Sequence, residues 1–134
     1  MSALALNIIQ QGLYHKLSGD GVLMGMVNGI FDAVPQGTPL PYIVIGDGLQ
    51  RQEANDVTLA RCELTLHVWT DSSGRKTALT IMNRIYGLLH QGALTLDGFA
   101  LVLMHCEQAA TRLAEEATRL HGELTCSMLV EEMA

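Results

Sequence analysis

The clearest pattern in the chain is the stretch LARCELTLHVW at residues 59–69. Its apolar residues alternate with polar or amphipathic ones, and the apolar set is Cys62, Leu64, Leu66 and Val68. Successive side chains of a β-strand point to opposite faces, so this period of two predicts a strand with one buried face. The other face carries Trp69, the only tryptophan in the sequence, beside His67.

Upstream of this strand, the sequence predicts a helix and a second strand. Residues 3–18 place Leu6, Ile9, Leu13 and Leu17 at helical spacing, with Ser2 as the N-cap and Gly19 as the stop. Residues 22–27 are predicted as a helical turn and residues 30–41, with three prolines, as a loop. The β-branched run 42–45 follows as a strand, which Gly46-Asp47-Gly48 ends or bends.

Downstream, a helix is predicted from about residue 74 to residue 90, with a buried stripe that includes Ala78, Ile81 and Ile85. Residues 94–106 favour a strand with Asp97-Gly98 as a turn inside it, and residues 122–131 alternate as another strand. Residues 107–121 are rich in helix formers, so local propensity favours a helix there.

These elements follow the order helix, strand, strand, helix, strand, strand. The order predicts an α+β fold in which two helices pack on one face of a mostly antiparallel four-stranded sheet. The 134 residues fit a single domain, 1–134.

Composition limits the classes of function. The chain is 49% hydrophobic and only 16% charged, which fits either apolar surface covered by other subunits or simply an apolar-rich small domain. Its net charge of −6, with no basic patch, argues against sequence-specific nucleic-acid binding. No apolar stretch reaches the roughly 18 residues of a membrane span, and no signal peptide is expected.

Residues that carry chemistry do not form a recognisable constellation. The five histidines show no HxH, HxxH or HExxH spacing, so no metal site is expected. Phosphate-binding loops and the GxSxG nucleophile motif are absent, so we expect neither cofactor nor enzymatic activity. Cys62, Cys106 and Cys126 are predicted to be reduced and buried, and the pKa of Cys106 to be raised in its apolar strand beside Glu107.

Two surface features are candidates for contact with other subunits or partners. Trp69 offers a large amphipathic ring on an otherwise polar strand face, although the chain's own loops or helices would cover it equally well. The polar stretch 49–57 is predicted to be an exposed loop, either reaching a neighbour or simply solvated. Its candidate contact residues are Gln50, Arg51, Gln52, Glu53, Asn55 and Asp56.

Five short motifs, in order along the chain, resemble the phage tail-completion (tail-terminator) family. PYIVIGDG at 41–48 is similar to that family's strand-and-turn signature. The other four are LTLHVWT at 64–70, the helix opening with GRK at 74–76 and ending with IYGLLH at 85–90, LTLDG at 94–98, and TRLHG at 118–122. The resemblance implies that residues 99–112 and 120–131 form a hairpin with a turn near 115–117. The chain departs from the family there, because its turn lacks the usual Asp and Gly residues.

The resemblance also implies a function without catalytic residues. It implies a virion protein, assembled in the host cytoplasm, that forms a hexameric ring on the head-proximal end of the tail tube. Its partners would be the tail tube protein and a head-side connector or neck protein, with DNA passing through the ring. Two alternatives stay open: a head-closure or neck protein of the same particle, and a small α+β ligand-binding domain.

Overall fold

The computed structural model describes residues 3–53 and 55–133, which form three helices and five strands. The helices are α1 (Leu6–Ser18), α2 (Gly21–Met24) and α3 (Arg75–Leu89). The strands are β1 (Ile30–Phe31), β2 (Tyr42–Gln52), β3 (Leu59–Asp71), β4 (Phe99–Leu113) and β5 (Arg119–Glu132). No helix in the described part of the chain is both long enough and apolar enough to span a membrane.

The sheet consists of two long hairpins joined side by side, in the order β1-β2-β3-β5-β4. All neighbours are antiparallel except β1, which runs parallel to β2. The pairing of β3 with β5 runs from Leu59 opposite Glu131 to Asp71 opposite Arg119. The tip of the β2–β3 hairpin and the tip of the β4–β5 hairpin therefore lie at opposite ends of the sheet.

One face of the sheet holds the hydrophobic core. Every second residue of β3 from Ala60 to Thr70 is buried, as the alternation in the sequence predicts. Helices α1 and α3 cover this face with fully buried side chains, among them Leu13 and Ile85. The backbone of β5 comes close to α3 at Gly122, where an added Cβ would lie 2.6 Å from the Met82 sulfur.

The α+β class is confirmed, but the predicted count of four strands and two helices is wrong by one of each. The segment predicted as a loop contains β1, in which Ile30 pairs with Ile43 and Phe31 with Val44. Two residues are too few to show a period, so only tertiary pairing reveals this strand. The additional helix, α2, overlaps the helical turn predicted at 22–27 but begins one residue earlier, at Gly21. It is capped by the Asp20 carboxylate, which accepts from the Leu23 amide at 2.9 Å.

Several predicted boundaries shift because distant contacts decide them. Helix α1 begins at Leu6, and the Ala5 amide donates to Gln50 Oε1 at 2.8 Å; the predicted cap, Ser2, lies outside the described residues. Strand β2 does not end at 46–48 but passes through a bulge at Asp47 and continues to Gln52. The turn at Asp97-Gly98 precedes β4 instead of interrupting it.

The segment 107–121 forms a hairpin, as the family resemblance implied and against its local helix propensity. Strand β4 runs to Leu113, a turn follows at 114–118, and β5 returns from Arg119. The Ala114 amide donates to the Arg119 carbonyl at 3.0 Å, and the Ala117 amide to the Ala114 carbonyl at 2.9 Å. Pairing along two whole strands outweighs the preference of a few turn residues.

Candidate interaction site on the open face of the sheet

The face of the sheet opposite the helices carries a connected group of aromatic and ionisable side chains. Cross-strand pairing brings them together, since Trp69 on β3 lies directly between Tyr42 on β2 and His121 on β5. We call this group the open-face cluster; its members are Asp47, His67, Trp69, Arg119, His121 and Glu123.

Trp69 is held by its own chain on this face. Its indole stacks on the His121 imidazole, with centroids 4.3 Å apart and planes 12° apart. The Arg119 guanidinium carbon lies 4.4 Å from the indole centroid, a cation–π contact. Arg119 is held in turn by Glu116, at 2.7 Å. The half-buried tryptophan is thus a rigid, preoriented ring with part of its surface still accessible.

His67 and His121 form a hydrogen-bonded imidazole pair. His67 Nδ1 lies 2.7 Å from His121 Nε2, and the rings are within 15° of parallel. That distance is too short for stacking, so the rings meet edge to edge with one N–H donating. The Asp47 carboxylate, 3.2 Å from His67 Nε2, only accepts. In the neutral pair, His67 therefore donates to Asp47, and His121 Nε2 donates to His67 Nδ1.

The surroundings of His121 favour its neutral form. Burial lowers the pKa of His121, and the neighbouring His67 charge lowers it further, although Glu123 opposes both effects. Glu123 lies 3.8 Å from His121 Nδ1 and is itself paired with Arg112 on β4. The cluster consequently links β2, β3, β5 and β4 by charge and hydrogen bonding.

The cluster also groups three side chains that can ligate a metal ion. His67, His121 and Glu123 each offer one ligand atom, and these atoms lie within 4.8 Å of one another. Nitrogen and carboxylate ligands of this kind suit zinc. The hydrogen bond between His67 Nδ1 and His121 Nε2 occupies both nitrogens, so a metal ion could bind them only after that hydrogen bond broke. Spacing along the chain could not reveal this group, because its members come from two strands.

The predicted contact residues fall into two separate regions. Trp69 lies at one end of β3, and the six polar residues lie at and near the β2–β3 hairpin tip, at the other end. The distance along β3 from Cys62, the partner of Gln50, to Trp69 is roughly 24 Å at about 3.4 Å per residue. The structure therefore does not bring them into one site.

Several of the polar residues at the tip already have partners within the chain. Gln50 accepts from the Ala5 amide, and Glu53 pairs with Arg61 at 3.2 Å. Asp56 accepts from the Thr58 amide and hydroxyl, which lowers the pKa of Asp56. The remaining three are exposed: Arg51, Gln52 and Asn55. Their contact with a partner stays a prediction.

The pKa of the Cys106 thiol differs from its prediction. Its Sγ lies 3.2 Å from that of Cys126, and this hydrogen bond lowers the pKa of Cys106, where a raised value was predicted. Burial alone was considered from the sequence, and the partner thiol, 20 residues away, could not be seen. His105, the preceding residue, lies on the open face, opposite Ser127.

The fold is a small α+β domain whose two-hairpin sheet presents an aromatic, ionisable patch on one face and helices on the other. The chain belongs to the family of tail completion protein gp17, whose family model matches residues 11–131. It is accordingly a structural protein of the virion tail.

Two solved structures resemble the chain over nearly its whole length. A chain from the virion of a native gene transfer agent particle is 26% identical, with a TM-score of 0.86, covering 97% of this chain and 99% of that one. The gp17 protein of bacteriophage SPP1 is 22% identical, with a TM-score of 0.66, covering 99% and 94%. No curated protein sequence matches significantly.

Proposed function

We propose that the chain caps the head-proximal end of the tail tube as a ring, stops tube growth and provides the surface that joins the tail to the head. The observation that carries the proposal is membership in the tail completion family, matched over residues 11–131. The close likeness to a chain of a gene transfer agent virion supports it, because that chain is part of an assembled particle.

The distribution of apolar surface supports assembly into a ring. Exposed apolar side chains occur along one edge of the sheet on β4, namely Val102, Leu103 and Leu113. Others lie towards the opposite edge, with Leu49 on β2 and Val57 in the β2–β3 tip. Because the two edges expose different apolar surfaces, they favour head-to-tail contacts, in which one edge of a subunit binds the other edge of the next. Such contacts form a closed ring when a whole number of subunits completes one full rotation. A hexamer is our expectation for that ring.

The two ends of the sheet supply separate surfaces for two partners. One end carries the polar β2–β3 tip with Arg51, Gln52 and Asn55, and the other carries the open-face cluster around Trp69. A subunit that joins a tube to a head-side connector needs two such surfaces. This mechanism depends only on binding between subunits and partners, so it requires neither a catalytic residue nor a cofactor. DNA passes through the ring without sequence-specific contacts.

Replacing Trp69 by Ala tests whether the cluster end contacts a partner. We expect this variant to reduce incorporation into particles strongly while lowering the free energy of unfolding only slightly. The reason is that the exposed part of the indole would contact the partner. Replacing Thr65, on the same strand face, by Ala is the matched control and should affect neither. Equal losses of folding and assembly for Trp69→Ala would assign the indole to the fold alone.

Electron microscopy of particles made without this chain tests the proposal as a whole. Tails of uncontrolled length, separate from DNA-filled heads, are expected, since nothing would stop tube growth. Tails of normal length beside empty or leaking heads would instead assign the chain to head closure, the neck role. Normal joined particles would refute both roles.

A further inference from the structure

Two cysteines face each other across the β4–β5 hairpin. Cys106 and Cys126 are direct cross-strand partners on the helix-facing side of the sheet, and both are buried. Their sulfur atoms are 3.2 Å apart, which is thiol contact distance. Neither side chain has to change strand, face or register for the two sulfur atoms to be joined.

The backbone around Cys106 shows which type of cross-strand pair this is. Its amide points away from β5 and donates to His90 Nδ1, at 3.1 Å, while the Met104 carbonyl on the same edge accepts from the Gln91 amide at 2.9 Å. Cys106 and Cys126 therefore form a non-hydrogen-bonded pair, the type in which the Cα atoms are about 4.5 Å apart and the side chains closest. That spacing lies within the Cα range of disulfides, about 4.4–6.8 Å.

We propose that Cys106 and Cys126 are an oxidative modification site, at which a disulfide forms across the β4–β5 hairpin once the virion has left the reducing interior of the cell. Disulfides form and persist in oxidising extracellular surroundings, whereas the reducing systems of the cytoplasm keep thiols reduced. The cross-link joins the two strands near the middle of their pairing, so it holds the outer hairpin of the sheet closed.

A peroxide is the oxidant that suits this confined site. The Cys106 thiolate attacks one peroxide oxygen, the O–O bond breaks, and Cys106 becomes a sulfenic acid as hydroxide leaves. This hydroxide takes up the proton that Cys106 gave up and becomes the first water. The Cys126 sulfur then attacks the Cys106 sulfur, the S–O bond breaks and the proton of Cys126 leaves with the oxygen as water. Two thiols and one hydrogen peroxide thus give one disulfide and two waters.

Cys106 is the better first nucleophile of the pair. It is slightly exposed whereas Cys126 is fully buried, and the hydrogen bond from Cys126 lowers the pKa of Cys106. The third cysteine, Cys62, lies on the same face of β3 but opposite Met128, one diagonal position away from Cys126. Burial raises the pKa of Cys62 to about 11, so this thiol is a natural internal control.

The test is to treat the folded, full-length chain with hydrogen peroxide and map the cysteines by mass spectrometry. The cysteine pair is expected to lose two hydrogen atoms, counted apart from any oxygen gained by methionines such as the exposed Met133. Because trypsin cuts after Arg84, Arg112 and Arg119, fragments 85–112 and 120–134 should be recovered as one cross-linked species. Thiol counting in denaturant should then find Cys62 alone.

Variants fix the assignment. Cys62→Ser should form the cross-link as readily as the natural chain, and Cys106→Ser should not form it. The oxidised chain should also have an unfolding equilibrium constant on the order of a hundredfold smaller, since the link closes a loop of about 20 residues. Sulfinic or sulfonic acid on Cys106 without a cross-link, a link through Cys62, or three unreactive thiols would each overturn the proposal.

Discussion

Asp20 connects two helices that lie far apart in the sequence. Its carboxylate caps α2 and also receives two hydrogen bonds from Arg84 of α3, at 2.8 and 2.6 Å. This fork-to-carboxylate geometry gives orientation as well as attraction. The single residue thereby fixes how the short helix sits against the long one.

We expect Asp20 to make stability depend on acid pH. Arg84 and the Leu23 amide lower the pKa of Asp20 from 3.8 to about 2. A carboxyl with a lowered pKa stabilises the fold fully above pH 3.8, and this contribution is lost as the pH falls towards 2. Asp20→Asn should therefore lower the free energy of unfolding at neutral pH. It should also make that free energy decrease less between pH 3.8 and pH 2 than it does in the natural chain. Urea unfolding at several pH values measures this.

Asp71→Asn is the matched control for Asp20. The pKa of Asp71 is also lowered, but only by hydrogen bonds from Ser73, two residues away. Removing that local turn contact should change stability less at neutral pH. If both variants lost the same stability, the link between α2 and α3 would not be the cause.

His121 should titrate below an ordinary histidine. Burial is the larger cause and the His67 charge the smaller, so His67→Phe should raise the midpoint of His121 only part of the way towards 6.5. Because a lowered histidine pKa means that the proton binds the unfolded chain better, its contribution to stability is lost as the pH falls below 6.5. NMR titration of the imidazole resonances measures the midpoint, and Thr65→Val should leave it unchanged.

Among the structural elements, the turn of the β4–β5 hairpin departs most from what its residues prefer. Ala117 adopts a left-handed conformation, with φ of +59°. An L-residue other than glycine costs about 1–2 kcal/mol there. The turn forms because the two arms pair over their length, and it is therefore a place where the sequence is not optimal for the fold.

Ala117→Gly should stabilise the protein by about 1 kcal/mol. Glycine removes the conformational cost of the left-handed backbone at this position. Its greater conformational freedom in the unfolded chain offsets about 0.4–1 kcal/mol of this stabilisation. The shift in the urea midpoint of unfolding measures the effect. Ala114→Gly, in the same turn at a residue without positive φ, should instead destabilise by about 0.5–1 kcal/mol. Destabilisation by both variants would show that the turn is not strained at Ala117.

At the scale of the whole molecule, local pattern predicted most of the elements, and strand pairing decided the rest. The alternation around Leu66 and the helical stripe around Ile85 each identify an element, because a buried face imposes its period on the sequence. Strand β1 and the contact between His67 and His121 show no such period, since they depend on which strands become neighbours and in what register. The family resemblance supplied the one long-range pairing, the β4–β5 hairpin, that propensity opposed.

The outer face of α3 adds a further apolar surface beside the β4 edge. Leu79 and Tyr86, two turns apart on this helix, are 50% and 40% exposed, and they line a groove with Ala109 of β4. The lining is mostly apolar, although water surrounds it in the isolated chain. In a ring, a neighbouring subunit would cover this groove together with the β4 edge.

Changing both Leu79 and Tyr86 to Ser should separate assembly from folding. Both side chains are about half exposed and Tyr86 also stacks on His90, so the free energy of unfolding should fall by only about 1–2 kcal/mol. Incorporation into particles should fall about tenfold or more, because burying two apolar side chains at an interface is worth more than about 1.4 kcal/mol. Lys76→Gln, exposed on the same helix but lining a different groove with Met26, is the control and should assemble normally. Normal incorporation of the double variant would place the subunit contact elsewhere and leave the β4 edge strand as the remaining candidate on this side of the sheet.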